Sequence, residues 1–541
     1  MKILLLAIYS NEMIEIYEEL GIGFIGAYLR QKGYVVTILG YKEDEVPYQA
    51  LYENNFHVIG MPIYSDSKES VCRVATKIKQ HNSETIICVG GVLSTYYGKT
   101  LLEECGAFDI AVKGEGEITF HEIVSCIYEK KDIHGVKGIF YRSHGDVCEN
   151  LDRPSIEDLN ILTMPARDYL MDKNLSIAQI STSRGCVGIC SFCASQLSWK
   201  KWRGRPISQV VDEIEELTTQ YNIRIFNFID ASFEDPDPGL SRMTEMVDEI
   251  IRRSIAIGYF ADFRSDFYKK ADDAVMKKLK DSGLCGVCIG IESGNDEDLK
   301  IYKKRTTVED NNISIAFFKS YGINVEPGFI NFNPYTTISK LKKNIRFLEH
   351  NGYACNIDYI VNRFKMYPGT TLYGRVLSDD LVHKDMKSDY AYSFIDHQIN
   401  DLYEFVILYQ KFVNKTHQDA FKRLTFYSGI YQTMLVYLEK QVAAQDFKIL
   451  ALSKKRIQVL LNEANEQMAK WFRLLIEICE SGWDEKAASL ESDYLLGKGF
   501  LAAIVRKIEN INNRMMFLIQ DINPAYETVL KTIFNDKYLF N

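Results

Sequence analysis

Three cysteines lie close together in one short stretch of the chain, RGCVGICSFC. They are Cys186, Cys190 and Cys193, with the spacing Cys-x3-Cys-x2-Cys. Three thiolates on one tight loop suit a cubane iron–sulfur cluster, in which each thiolate binds one iron. A structural zinc site needs four ligands, and no fourth Cys or His follows at ligand spacing. The pattern therefore predicts a cluster with one iron open to a further ligand.

The cysteine loop follows the first of six predicted strands that alternate with helices over residues 176–390. The strand candidates are Ile177–Ser181, Ile223–Ile229, Ile257–Phe263, Gly286–Ile291, Asn324–Ile330 and Tyr359–Phe364. Six strand–helix units predict a partial (β/α)6 barrel of the TIM type, with its chemistry at the carboxyl ends of the strands. Cys285 and Cys288 are interpreted as core cysteines, because they are three apart on one strand and therefore point to different faces.

The other parts of the chain predict three further regions. Residues 1–130 alternate five strands with helices, which indicates a doubly wound, flavodoxin-like or Rossmann-like parallel sheet. Residues 131–175 are interpreted as a linker that contains a hairpin. Residues 391–541 lack strand signals and predict an all-α carboxyl-terminal domain. Within it, Ala451–Glu480 reads as one amphipathic helix that ends at Ser481-Gly482.

Composition narrows the class of protein. The net charge is −9, which argues against a nucleic-acid partner because such domains are usually basic. No apolar stretch has the 18 or more residues that a membrane helix needs. The amino-terminal run MKILLLAIYS reads as a buried strand and not as a signal peptide. We therefore expect a cytoplasmic protein whose twelve cysteines form no disulfide framework.

The cysteine loop resembles the signature of the radical S-adenosylmethionine (SAM) superfamily, Cys-x3-Cys-x-aromatic-Cys, with Phe192 at the aromatic position. The resemblance implies a 4Fe–4S cluster whose open iron binds SAM and whose electron cleaves it to a 5′-deoxyadenosyl radical. It also implies an electron donor such as flavodoxin or ferredoxin. The cofactor supplies the difficult chemistry, and the protein orients it.

The resemblance extends to the ends of three predicted strands and implies SAM contacts there. Asp230 occupies the position of a strand-end Asp that binds the SAM amine, although a plain turn cap is an equal alternative and Ala231 replaces the family's second Asp. Arg264 corresponds to an Arg near the SAM carboxylate. Glu292 and Ser293, in a Gly-x-Glu-Ser segment, are implied to face the ribose hydroxyls, where a carboxylate makes strong hydrogen bonds.

Two segments resemble the cobalamin-associated branch of the superfamily. One is Trp202-Arg203-Gly204-Arg205, whose arginines either neutralise a cofactor or lie on a solvated loop. The other is the amino-terminal sheet, where glycine at strand ends permits close approach of a bulky ligand. The implied cobalamin-binding residues are Tyr64, Ser65, Gly90, Gly91, Val92, Gly114, Glu115 and Gly116. There is no Asp-x-His-x-x-Gly motif to supply a lower axial histidine, and no Gly-x-Gly-x-x-Gly for a dinucleotide.

The resemblance implies a cobalamin-dependent radical SAM enzyme that methylates an unactivated carbon of a small-molecule or peptide substrate from methylcobalamin. A non-methylating reaction on the same architecture, such as ring formation, ring contraction or oxidation, stays open. A cobalamin-binding regulator and an RNA methylthiotransferase fit less well. The second of these needs another cysteine set, whereas Cys72, Cys88, Cys105 and Cys126 are dispersed. The sequence identifies no catalytic acid or base.

Overall fold

The computed structural model describes residues 1–10, 17–199, 201–382, 392–417, 419–441, 444–497 and 499–518. These residues fold as two compact units. The first holds residues 1–187 and 193–223, and the second holds the described residues of 188–192 and of 224–518.

The first unit contains a seven-stranded sheet in the order β2-β1-β3-β4-β5-β6-β7. Its strands are β1 (Ile3–Tyr9), β2 (Val36–Lys42), β3 (Val58–Pro62), β4 (Ile86–Gly90), β5 (Ile110–Val112), β6 (Ile139–Ser143) and β7 (Asp146–Glu149). Strands β1 to β5 pair in parallel. Every residue of β1 is buried, as expected for a parallel strand that helices cover on both faces. The predicted doubly wound sheet is confirmed.

Helices of this unit connect the strands or follow them along the chain. They are α1 (Leu20–Gln31), α2 (Tyr48–Asn54), α3 (Lys68–His81), α4 (Val92–Glu104), α5 (Gly116–Tyr128), α6 (Asp168–Asp172), α7 (Ser195–Ser198) and α8 (Ile207–Gln220), with 3-10 turns at Glu43–Glu45 and Leu159–Ile161. The predicted hairpin is β6–β7, and it extends the sheet because β6 pairs antiparallel with β5. Cys72 and Cys105, which are dispersed in the sequence, form a disulfide that the sequence did not reveal.

Three short strands precede α8 in the first unit. They are β8 (Ile177–Ile180), β9 (Ser183–Arg184) and β10 (Arg203–Gly204). Strands β9 and β10 pair antiparallel, with Arg203 opposite Arg184. This two-stranded ribbon holds the residues just before the first cysteine of the loop beside residues that follow the third cysteine.

The second unit is built on four parallel strands. They are β11 (Ile225–Phe228), β12 (Gly258–Arg264), β13 (Leu284–Glu292) and β14 (Asn324–Phe329), and each pairs with the next. Along β12 to β14 one face is buried, while alternate residues on the other face keep contact with solvent. We call this second face the open face. Its residues are Phe260, Asp262, Arg264, Cys288, Gly290, Glu292, Asn324, Glu326 and Gly328.

The sixth predicted barrel strand, Tyr359–Phe364, is wrong. Its first half is helix α14 (Ile357–Val361), begun by Asn356, whose side chain accepts a hydrogen bond from the Asp358 amide. The two buried apolar side chains, Ile357 and Ile360, are three residues apart and therefore lie on one helical face. A short apolar run is compatible with a strand or with a helix, and the N-cap residue Asn356 favours the helix. The α/β class and the parallel sheet are nevertheless confirmed.

The remaining second-unit elements are helical. Beside a 3-10 turn at Phe267–Lys269, they are α9 (Ser241–Arg252), α10 (Asp273–Ser282), α11 (Asp296–Ile301), α12 (Val308–Ser320), α13 (Ile338–Asn351), α15 (Thr371–Ser378), α16 (Gln398–Thr416), α17 (Ala420–Ser428), α18 (Ile430–Glu439), α19 (Ala444–Glu480), α20 (Glu485–Leu495) and α21 (Phe500–Leu518). Helix α19 confirms the predicted long amphipathic helix, and its face from Ile457 to Cys479 is buried. Residues 519–541 of the predicted helical domain lie outside the described residues.

Candidate active site

The amino-terminal side of the cysteine loop is fixed by the backbone. Gly185, next to Cys186, has φ +92°, in the left-handed region that favours glycine. A Cβ on Gly185 would lie 2.5 Å from the carbonyl oxygen of Lys201, so the chain that returns to β10 leaves no room for a side chain. The Arg205 amide donates to the Thr182 carbonyl and continues this close pairing. Glycine is therefore required before the first cysteine.

A buried ion-pair network surrounds the same segment in the first unit. Arg184, on β9, binds Glu115 at 2.7 Å and Glu117 at 2.5 Å. Arg203, on β10, binds the other Glu115 oxygen at 2.9 Å. The Glu115 side chain is 5% exposed, and it also accepts the Ile156 amide at 2.6 Å. Burial alone would raise the pKa of Glu115, but Arg184 and Arg203 lower it below its ordinary value.

Arg205 is also buried, and it binds Glu213 of α8 at 2.6 Å. Arg167 in turn ion-pairs with both Glu213 and Glu18. The solvated-loop alternative for the Trp-Arg-Gly-Arg segment is wrong, whereas neutralisation of a cofactor by its arginines stays a prediction. Its arginines do not lie on a solvated loop, because Arg203 binds Glu115 and the Ile156 carbonyl, and Arg205 binds Glu213 and the Ser181 carbonyl. They hold the loop base and α8 in place, because unpaired buried charges would be costly.

The three cysteines suit an iron–sulfur cluster by their chemical state. Cys186, Cys190 and Cys193 are free of disulfides and partly exposed, as thiolate ligands must be for a cluster to assemble. Val187 and Ile189 between them are each 48% exposed, which provides apolar surface around the loop. These features fit the cluster, although the ligand roles of the three residues remain predictions.

Hydrogen bonds within the second unit hold the middle of the loop. The Ser191 amide donates to the carbonyl of Tyr302 at 2.9 Å, and its hydroxyl donates to the carbonyl of Ile301 at 2.6 Å. The Leu372 amide donates to the Ser191 carbonyl. Phe192 packs edge-on against Tyr302 at 5.3 Å between ring centroids. The aromatic ring at this position thus has a packing role; contact of Phe192 with SAM stays a prediction.

Glu292 ends β13 with φ +65°, a conformation that side-chain-bearing residues rarely adopt and that occurs at functional sites. Its carboxylate lies above Gly290, where a Cβ would come within 2.9 Å of Glu292 Oε1 and of Lys304 Nζ. Lys304 is 3.4 Å from the carboxylate. Burial raises the pKa of Glu292, and Lys304 offsets this only in part. The glycine and the half-buried carboxylate form a cradle that fits the hydroxyl groups of SAM.

The other predicted SAM residues have different surroundings. Ser293 is fully buried, and its hydroxyl donates to Asn344 Oδ1 at 3.1 Å. Asp230 is 1% exposed at the end of β11. Arg264 ion-pairs with Asp235 and lies 3.4 Å from Glu234. The side chains of Ser293 and Arg264 have these protein partners, so their proposed SAM contacts would add to existing bonds.

Predicted cobalamin residues follow three neighbouring strands, β3, β4 and β5, at the carboxyl edge of the first sheet, where ligands of such sheets bind. Tyr64 is 38% exposed and Val92 is 37% exposed. Gly91 has φ +100°, and a Cβ on Gly114 would meet nothing within 4 Å. Exposed apolar groups beside open space fit a corrin ring.

Four residues of this group have other surroundings. Ser65 is half-buried, and a Cβ on Gly90 would lie 4.0 Å from Val112. A Cβ on Gly116 would lie 2.7 Å from Ile25 of α1, so its small size serves helix packing. Glu115 is held by arginines, as described. Direct contact of these four residues with cobalamin stays a prediction.

The sequence missed a row of groups on the open face of the second unit. Parallel register places Asp262 of β12 beside Cys288 of β13, and Cys288 beside Glu326 of β14. We call these three residues the acid row. Desolvation by the surrounding protein, together with nearby Asp230 and Glu326, raises the pKa of Asp262 to about 7, and desolvation raises that of Glu326 to about 7. An acid inside an apolar strand was the available signal. Cys288 is only partly buried, so its interpretation as a core cysteine is wrong, whereas that of Cys285 is right.

Comparison with known proteins agrees with this geometry. Residues 11–124 match the B12 binding domain, and residues 180–348 match the radical SAM superfamily. The fold and the site thus define a radical SAM enzyme. More narrowly, the chain belongs to the cobalamin-dependent radical SAM enzymes, and its cofactors are cobalamin, SAM and a 4Fe–4S cluster.

Two similar proteins illustrate the range of the family. The chain is 26% identical over 374 residues to the uncharacterized methyltransferase PH0819 of Pyrococcus horikoshii, covering 67% of this chain and 79% of that protein. It is 26% identical over 341 residues to an anaerobic magnesium-protoporphyrin IX monomethyl ester cyclase of Synechocystis sp., covering 60% of this chain and 67% of that protein.

Solved structures share the fold. The cobalamin-dependent radical enzyme OxsB, with aqua-cobalamin and SAM bound, matches with a TM-score of 0.65 and 18% identity, over 100% of this chain and 84% of that chain. The methyltransferase TsrM from Kitasatospora setae, with cobalamin and a [4Fe-4S] cluster, matches with a TM-score of 0.57 and 17% identity, over 70% of this chain and 75% of that chain. Among the described residues, no helix combines the length and apolar character needed to cross a membrane.

Proposed function

We propose that this chain is a cobalamin-dependent radical SAM methyltransferase that acts on an unactivated carbon of a small-molecule or peptide substrate. The observation that carries the proposal is the extended similarity to a protein named a methyltransferase, which spans 79% of that relative. When bound, the cluster and SAM supply a 5′-deoxyadenosyl radical, and cobalamin supplies a methyl group. A flavodoxin or ferredoxin would supply the electron, and we expect the enzyme in the cytoplasm.

The residues of this chain have distinct parts in that proposal. Cys186, Cys190 and Cys193 hold the cluster, and Glu292 binds the ribose of SAM. Asp230, Arg264, Phe192 and Ser293 complete the SAM site by the resemblance already described. These side chains act by binding and orientation, since positioning of a cofactor and exclusion of water are the protein's share of radical chemistry.

The first unit would hold cobalamin at the carboxyl edge of its sheet, against Tyr64, Gly91, Val92 and Gly114. The absence of an Asp-x-His-x-x-Gly motif means that no histidine of such a motif would bind the lower face. The exposed tyrosine and valine offer an apolar surface, and the glycines offer space. We propose residues 1–130 as the cobalamin domain, 176–390 as the radical SAM domain and 391–541 as the helical domain, joined by 131–175.

A second candidate is a non-methylating radical reaction on the same architecture. The similarity to the Synechocystis cyclase favours it, as does a 25% identity over 324 residues to a 4'-phospho-dehydrooxetanocin synthase of Priestia megaterium. The latter match covers 43% of that protein. The two candidates share their cofactors and differ in the fate of the SAM methyl group.

Product analysis separates the candidates. The protein is purified without oxygen, reconstituted with iron, sulfide and cobalamin, and incubated with a chemical reductant and SAM that carries a deuterated methyl group. Formation of both 5′-deoxyadenosine and S-adenosylhomocysteine supports methylation. Deoxyadenosine alone favours the non-methylating candidate. Neither product, from protein with a spectroscopically intact cluster, contradicts both.

A further inference from the structure

The acid row lies on a sheet face that remains accessible. Parallel sheets are normally covered on both faces, and their strands are apolar throughout. Here Asp262 is exposed, and Cys288 and Glu326 are partly exposed, within strands whose opposite face is buried. Polar side chains that remain accessible in the middle of three parallel strands are placed to contact a bound ligand.

Glycines make room around the acid row. On the side toward the strand ends, the next register layer pairs Arg264 with Gly290 and Gly290 with Gly328. On the other side, helix α18 packs so closely that a Cβ on Gly286 would lie 2.5 Å from Thr433 Oγ1. Thr433 also accepts a hydrogen bond from Asn324 Nδ2 at 3.0 Å. Helix α18 therefore closes one end of the space, and at the other end the glycine layer leaves room that the Glu292 carboxylate and Lys304 border.

The two carboxyl groups have no cationic partner among the described residues. The charged groups that act on Asp262 are all acids, namely Asp230, Glu326 and Glu234. Only the Thr433 hydroxyl lowers the pKa of Glu326. Glu115 and Glu213, by contrast, each have an arginine within ion-pair distance. Desolvated carboxylates without a counter-charge are costly and occur at functional sites.

A second, independent observation lies beside Glu326. The Tyr353 side chain is buried, its hydroxyl has no hydrogen-bond partner within the described part of the chain, and it is within electrostatic range of Glu326. Buried hydroxyls nearly always have a partner, so an orphaned one indicates that a group is absent from its surroundings. A metal ion does not fit, because no group of three acids, cysteines or histidines among the described residues is close enough to hold one.

We propose that the acid row is the substrate subsite for a protonated amine, which Asp262 and Glu326 bind through charge-assisted hydrogen bonds. The inference rests on the proposed function, and it adds the chemical class of the substrate. An ammonium group supplies three donors and one positive charge, which suits two carboxylates that lie on β12 and β14, on either side of Cys288. The sites for SAM and cobalamin described above use other residues.

Binding of a small probe tests the subsite without knowledge of the substrate. Benzylammonium and its uncharged isostere benzyl alcohol are titrated into the cluster-reconstituted protein under nitrogen, with Kd measured by ligand-observed NMR. We expect the ammonium to bind at least about tenfold more tightly than the alcohol, the effect of one charge-assisted hydrogen bond. We expect D262N and E326Q each to remove about that factor for the ammonium and to leave the alcohol unchanged.

Matched measurements make each outcome decisive. Glu309→Gln removes an exposed carboxylate of α12 and should leave both constants unchanged. Equal affinity of the two probes for the parent protein, or unchanged ammonium affinity in the D262N/E326Q double variant, overturns the proposal. Thermal melting of each variant verifies folding, and the single variants decide if the double one does not fold. Deoxyadenosine formation is measured in parallel, so failure of the radical chemistry is seen separately from failure of the amine site.

Discussion

Glu115→Gln tests whether the ion-pair network under the cysteine loop is structural. The Glu115 side chain is 5% exposed and binds Arg184 and Arg203, whose side chains are 12% and 9% exposed. Removing one partner of a buried pair costs about 3–5 kcal/mol, because a charge is left uncompensated. We expect a loss near the lower end, about 3 kcal/mol, since the Gln oxygen can still accept one hydrogen bond.

Urea unfolding followed by circular dichroism measures this loss. Glu149→Gln is a matched control in the same unit, because Glu149 pairs with Lys113 at 2.7 Å but is 58% exposed. A surface pair of this kind contributes at most about 1 kcal/mol. A loss in E115Q no larger than that in E149Q would refute the structural role. Loss of cobalamin affinity with unchanged stability would instead indicate direct cobalamin contact by Glu115.

The sign of the pH dependence follows from the same contacts. The folded-state pKa of Glu115 is lowered, so its contribution to stability is present at neutral pH. That contribution is lost as the pH falls through the lowered pKa and the carboxylate is protonated. The stability difference between parent protein and E115Q should therefore shrink in acid.

Three further substitutions have defined outcomes. Cys190→Ala should abolish deoxyadenosine formation, whereas Cys126→Ala, at another free cysteine, should preserve it; persistence of the product in C190A would show the cluster assignment to be wrong. Gly290→Ala should weaken SAM binding without loss of iron, because the added methyl group would lie 2.9 Å from Glu292 Oε1. The Kd for SAM is measured by equilibrium dialysis, and an unchanged value would contradict a SAM role of the Glu292 carboxylate. Tyr96→Phe removes a hydroxyl that donates to the Ala194 carbonyl at 2.6 Å beside the loop, and should lower thermal stability by about 1 kcal/mol; no change in melting would show that this bond contributes nothing.

The first sheet was predictable because its signals are local. Each parallel strand is a short apolar run followed by glycine or a turn, and a helix at 3.6-residue spacing follows. The long helix α19 was predictable for the same reason, since its buried face repeats over many turns and a glycine follows it. In such segments propensity, periodicity and termination agree, so tertiary contacts do not overrule them.

The site was predictable only where one segment carries it. The cysteine loop and the Gly-x-Glu-Ser segment are contiguous, so spacing alone identifies them. The partners of Arg184, Arg203 and Arg205 lie far away in sequence, and nothing local indicates whether an arginine binds a cofactor or a buried glutamate. The acid row depends on the register of three parallel strands, which a one-residue slip would alter.

The ion pairs between Glu115 and the segment before the first cysteine affect how such enzymes can be recombined. Residues 180–187 and 193–223 match the radical SAM family, yet they fold with the cobalamin-binding sheet. A chimera joined in the interval between the two family matches would place Arg184 and Arg203 against a foreign glutamate set. A junction near Ile223 keeps Glu115, Arg184 and Arg203 in one segment. The segment that should be exchanged as a unit therefore extends well beyond the end of the B12 binding domain match at residue 124.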